Sequence, residues 1–140
     1  MKAALYYVRL DTHNNHALFE GTEATTMSFS QIAADELLAA AKRKDVTLDH
    51  WAVAPDAIHA LVSITENCLD QDYGVGKPRL LTSFVAGVKA ATAKRINLVR
   101  NQPGSPVWQR SYREQRIEDD RTLARLTEKI KMASSVRVSG

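Results

Sequence analysis

A single cysteine, Cys68, stands in 140 residues, which excludes an internal disulfide and a four-cysteine zinc site. A lone thiol suits a reducing compartment, so a cytoplasmic protein is expected. No stretch approaches about 18 consecutive apolar residues, so no membrane-spanning helix is expected. Arg9 arrives before any apolar run can develop, so no secretory signal is expected either. With four prolines and six glycines the chain is neither collagen-like nor low in complexity, and no internal repeat is found. Hydrophobic residues make up 44% and charged residues 25%, the balance of a chain that folds on its own core. The length fits one domain over residues 1–140.

Acidic residues are scarce in the second half. Residues 1–76 hold five Lys/Arg against eleven Asp/Glu, a charge of −6, whereas residues 77–140 hold fourteen against five, a charge of +9. The formal net charge of +3 hides this split. Clustered Lys and Arg neutralise phosphates and release their counterions, which points to a polyanion partner. The alternative is a pair of solvated helices carrying the excess.

Residues 4–10 are short and rich in β-formers, and predict a first strand. Residues 11–23 are polar and predict a loop. Ser28 and Gln31 have capping-box spacing ahead of a helix over about 29–44, in which Ala33, Leu37 and Ala41 recur at helical intervals. Two apolar runs, 47–54 and 57–64, flank Pro55 and Asp56, which is the chemistry of a hairpin turn. Residues 65–78 carry Gly74, Gly76 and Pro78 without a period and predict a loop. Leu81, Phe84, Val88, Ala91 and Arg95 step along a long helix to about residue 98. Residues 107–117 fit either a fourth strand or an extended arm. Asp119 and Asp120 open a last helix with Leu123, Leu126 and Ile130 as its stripe, and residues 134–140 predict a frayed tail. The central pair is a hairpin, not a parallel crossover. The expected architecture is therefore α+β, an antiparallel sheet with helices packed on one face and the other face open.

Pro55, Asp56, Ala57, Ile58, His59, Ala60, Leu61 and Val62 resemble the Pro-Asn-His-hydrophobe-His-Leu-Leu-Val stretch of the REP-associated tyrosine transposases. These form the single-tyrosine branch of the HUH endonucleases. The resemblance extends to Tyr7, Val8, Arg9 and Leu10 at the start, and to residues 80–97 in the long helix. It closes on Pro106, Val107, Trp108, Gln109, Arg110, Ser111 and Tyr112, similar to the family's Trp-Gln-x-x-Tyr element, with Ile117, Glu118 and Asp119 beyond. It implies a ferredoxin-like sheet, a homodimer, and a nickase of single-stranded DNA whose tyrosine becomes a 5′-phosphotyrosine. Two histidines and a polar third ligand would hold Mg²⁺ or Mn²⁺ there, because a metal offsets phosphate charge in the transition state.

The chain departs from that pattern where the chemistry sits. The first histidine falls on Ala57, which leaves His59 as the lone metal candidate, with Asp56 one residue out of phase. The nucleophile falls on Lys129 and the third ligand on Ala133. The expectation is a protein that binds single-stranded or hairpin DNA without strand cleavage and without a cofactor. Lys89, Lys94, Arg95, Trp108, Arg110, Tyr112 and Arg113 are the candidate DNA contacts, by stacking and phosphate pairing. Structural readings stand beside these: His59 as a sheet histidine, Trp108 as a sheet-edge anchor, Tyr112 packed beside Trp108, Lys129 as a solvated helix residue. His13 and His16 read as solvated loop side chains. Two rival functions remain: an active metal-dependent nickase using Tyr112 or unusual ligands, and a ferredoxin-like interaction dimer with no nucleic-acid role. Residues 5–9 and 107–112 are the candidate edges for dimer pairing.

Overall fold

The computed structural model describes residues 2–19, 29–42, 45–66 and 79–133. Its elements are β1 (Lys2–Asp11), a 3₁₀ turn (His13–Asn15), α1 (Phe29–Ala40), β2 (Val46–Ala54), β3 (Ala57–Glu66), α2 (Arg79–Val99), β4 (Arg113–Ile117) and α3 (Asp120–Ala133). The strands lie in the order β2-β3-β1-β4 and each neighbouring pair is antiparallel. This is the expected α+β, ferredoxin-like arrangement. Ser28, Cys68, the glycines at 74 and 76, and the tail at 134–140 lie outside the described residues.

Strand alternation sorts side chains between two layers. Tyr6, Val8 and Leu10 of β1 and Ile58, Ala60 and Val62 of β3 point to one face. There they pack with Ile32 and Leu37 of α1 and with Leu81, Phe84 and Val88 of α2. On β2 a register shift between Leu48 and His50 keeps both Leu48 and Trp51 on this side. The opposite face carries Tyr7, Leu61 and Ala52, which meet Leu126 and Ile130 of α3. The face read as open from the sequence is thus partly covered by the last helix. Its amphipathic stripe needs an apolar partner, and the first face is already filled.

Local chemistry sets the turns. Ala54 pairs with Ala57 across the two-residue turn at Pro55 and Asp56. Asp119 caps α3, accepting the Thr122 backbone N–H at 3.0 Å and the Thr122 hydroxyl at 2.7 Å, which also lowers the Asp119 pKa.

Three sequence expectations are corrected. Asp11 is not loop but the last residue of β1, opposite Ala57. Residues 5–9 are not an edge, because β1 lies between β3 and β4. Of residues 107–117, only Arg113–Ile117 form strand. The preceding stretch makes a single bridge, Thr12 with Trp108, and beyond it the Lys89 side chain takes the backbone carbonyls. Val107 accepts from the His13 N–H, Gln109 donates to the Asp11 carbonyl, and the Lys89 ammonium takes the Gln109 and Ser111 carbonyls.

Candidate functional site

On the face under α3, alternate residues of neighbouring strands form rows. One row runs Arg113, Arg9, His59, Ala52 from β4 to β2, each pair in direct register. Tyr7 stands one step away, opposite Leu61, and so is the diagonal neighbour of His59. The two are joined by a 2.7 Å hydrogen bond between the Tyr7 hydroxyl and His59 Nδ1, with both residues buried.

Burial first, then the positive charges of Arg9 and Lys129, push the His59 pKa down from 6.5 to about 4. Burial likewise raises the Tyr7 pKa. Near neutral pH the pair is therefore a neutral imidazole and a neutral phenol. The bond joins two neutral groups: the phenol O–H donates to Nδ1 in one imidazole tautomer, and Nδ1–H donates to the phenol oxygen in the other.

Cations surround this neutral pair. Lys129 Nζ of α3 lies 5.4 Å from the centre of the Tyr7 ring, within cation–π range. Arg9 Nε donates to Asp11 Oδ1 at 2.7 Å, and Arg113 Nε lies 3.4 Å from Asp11 Oδ2. Asp11 is almost wholly buried and holds both guanidiniums at one end of the sheet. Asp11 thus pairs with both arginines, Asp56 acts on Arg9 and His59 from farther off, and Lys129 adds a third cation over Tyr7.

The residues expected from the sequence separate into groups. Ala57 and His59 face the same side, and Ala57 is fully buried against the end of β1. Lys129 sits over Tyr7, and Ala133 is the half-buried last residue of α3. Among the described residues no three His, Cys, Asp or Glu side chains are grouped to hold a metal ion. Trp108 is an anchor: its Nε1 donates to the Lys89 carbonyl at 3.2 Å and its ring packs on Phe19. Tyr112 is buried and its hydroxyl pairs with Thr82 at 3.0 Å. Arg95 bridges α2 to α1 through Glu36 at 2.8 Å. Lys94, Arg110 and Arg113 are exposed. His13 and His16 lie away from His59, at a separate cavity with Arg100.

Sequence reading did not single out Tyr7, Arg9 and Asp11 as site residues. Alternation along the predicted strand was the available signal for Tyr7 and Arg9, which must share a face; Asp11 fell in the predicted loop.

No protein-family model matches the chain, and no curated protein matches it in sequence. Solved structures do match in fold. One is a REP-associated tyrosine transposase bound to a REP hairpin, with 15% identity, a TM-score of 0.66, and 94% of this chain and 67% of that chain covered. Another is a protein of Deinococcus radiodurans provisionally assigned as a transposase, with 21% identity, a TM-score of 0.59, and 97% and 95% covered. The chain has the fold of these proteins.

Proposed function

We propose that the chain binds single-stranded or hairpin DNA with the α3 face of its sheet and no longer cleaves it. The observation that carries this reading is the cationic cluster of Arg9, Arg113 and Lys129 around the neutral Tyr7–His59 pair. Such a surface attracts a phosphate backbone and offers no ionised nucleophile. The solved relative bound to a REP hairpin supports the choice of DNA. So does the +9 charge of residues 77–140. A homodimer joins the proposal, with β2 and β4, the outer strands of the sheet among the described residues, as the candidate edges.

Binding is tested by titrating labelled hairpin and single-stranded DNA at stepped salt. Affinity is expected to fall with salt at a log–log slope of about −0.7 per neutralised phosphate. Lys129→Glu is expected to weaken binding about tenfold at low salt, whereas Lys131→Glu, the same charge change roughly 200° round the helix, leaves it near wild type. No binding at low salt, or equal loss from both variants, defeats the reading.

Loss of chemistry is tested separately. With single-stranded DNA and Mg²⁺ or Mn²⁺, no covalent protein–DNA adduct is expected. Ala57 and Ala133 offer no ligand atoms, and an octahedral ion needs several oxygens or imidazoles. Calorimetry with Mn²⁺ is accordingly expected to give no strong site. Lys129→Tyr alone should stay inactive; the triple change with Ala57→His and Ala133→Gln tests whether the rest of the cleft still supports cleavage. An adduct from the unmodified chain, abolished by Tyr112→Phe, establishes an active nickase instead.

A further inference from the structure

On the far side of the β1 end from Tyr7 lies a cavity of about 330 Å³. Its walls come from three segments: the turn after β1, the stretch around Leu18, and the loop after α2. His13, His16 and Arg100 line it together with Thr12, Leu18 and Val107. The lining thus combines two imidazoles and a guanidinium with aliphatic side chains.

Hydrogen bonds hold these walls in place. Thr12, fully buried, donates from its hydroxyl to the His16 carbonyl at 2.7 Å. The His13 N–H is fixed on the Val107 carbonyl at 2.9 Å. Across the cavity the buried Asn97 amide donates to the Ser105 carbonyl at 2.9 Å and accepts from Arg100 Nε at 2.8 Å. Arg100 Nη2 reaches the Pro106 carbonyl at 3.3 Å, which orients the guanidinium with Nη1 still to give. Asn101 and Gly104 take left-handed backbone angles, φ 55° and 80°, and fold the loop back over this wall. The side chains of Thr12 and Asn97 are spent on positioning the groups that face the cavity.

We infer that this cavity is a binding site for one nucleotide, with the phosphate held by Arg100, His13 and His16 and the sugar or base laid on Leu18 and Val107. Arg100 Nη1 offers charge-assisted N–H donors to a phosphate, and each imidazole adds one more whatever its protonation state. Small-molecule sites occupy roughly 300–1,000 Å³, so this one is at the low end and admits a single nucleotide but no base pair. Thr12, which lines the cavity, directly follows Asp11, which holds Arg9 and Arg113. The inference rests on the DNA-binding reading for the source of the nucleotide, but not for the site itself.

The test follows the imidazole proton resonances of the full chain during titration with dAMP, inorganic phosphate and deoxyadenosine. The chain has four histidines, so His50 and His59 serve as internal controls. With dAMP, the His13 and His16 signals are expected to shift and saturate while the other two stay. Deoxyadenosine and phosphate are each expected to bind at least about tenfold more weakly, since each lacks half of the contacts. His13→Ala/His16→Ala is expected to reduce dAMP affinity about tenfold with an unchanged melting temperature, both side chains being partly or fully exposed. Arg100→Gln, which keeps a polar group at the loop, supplies a second loss of affinity. Silence of His13 and His16 at millimolar dAMP, or phosphate binding as tightly as dAMP, overturns the nucleotide site. Displacement of dAMP by a hairpin with a single-stranded overhang identifies the ligand as part of the strand. Persistence of dAMP identifies a free nucleotide. Saturable dAMP binding without hairpin affinity defeats the DNA reading and leaves the cavity assignment standing.

Discussion

Acidification from pH 6.5 to about 4 is expected to remove on the order of 3 kcal/mol of stability through His59 alone. The folded chain holds this imidazole neutral, first by burial and then by the positive charges of Arg9 and Lys129; Asp11 and Asp56 oppose them only in part. Once unfolded, the side chain takes up its proton at the ordinary pKa of 6.5. Between the two values the unfolded state therefore binds more protons, and falling pH draws the equilibrium toward it. The contribution is fully present above pH 6.5, fades through the window, and levels off below about 4, where both states are protonated. Urea unfolding at stepped pH measures this. His59→Leu removes the 2.7 Å partner of the Tyr7 hydroxyl and costs about 1–3 kcal/mol at neutral pH, so the comparison is of slopes and not of absolute values. The variant curve should be flatter across the window by the His59 amount. Parallel curves would mean that His59 titrates normally in the folded protein.

The second large effect is expected where α3 meets the sheet. Leu126 and Ile130 are the two buried side chains that dock the helix, with Leu123 beside them. Truncating either to alanine removes several buried methyl and methylene groups and is expected to cost about 2–5 kcal/mol. The double variant is expected to release α3, because helices of this length are marginal alone in water. Hydrogen exchange should then show lost protection along α3, while the β1–β3 ladder keeps its own. Lys129 would leave Tyr7 with the helix, and the DNA affinity assigned to it would go as well. A cost below about 1 kcal/mol for each single variant would show that this stripe does not hold the helix.

Periodicity made most of the fold legible. The Pro55–Asp56 hairpin, the long second helix and the Asp119 cap each rest on a local rule that the tertiary structure also obeys. Which face received α3 was not legible, since a stripe such as Leu123, Leu126 and Ile130 states that a partner exists and not where. Residues 107–112 resisted assignment for a similar reason. Their backbone is claimed by Lys89, Asp11 and His13, which are distant in sequence and leave no periodic mark. At the site, His59 and Lys129 were found by resemblance, and the structure sets both against the Tyr7 ring. Lys89, Arg95, Trp108 and Tyr112 show the converse. Composition suggested DNA contacts, yet each of these side chains is engaged in joining one element to another.

The strand order has a consequence for how the protein is made. In β1, Leu5 pairs with Ser63 on one side and with Ile117 on the other. The β2–β3 hairpin can close as soon as its own residues are available, but one flank of β1 has no partner until residue 117 has been synthesised. At roughly 5–20 residues per second, several seconds separate the first and last strands on the ribosome. Through that interval an apolar strand shows open backbone groups along one side. A nascent-chain holdase is therefore expected to engage β1 longest, and its release should coincide with the emergence of β4.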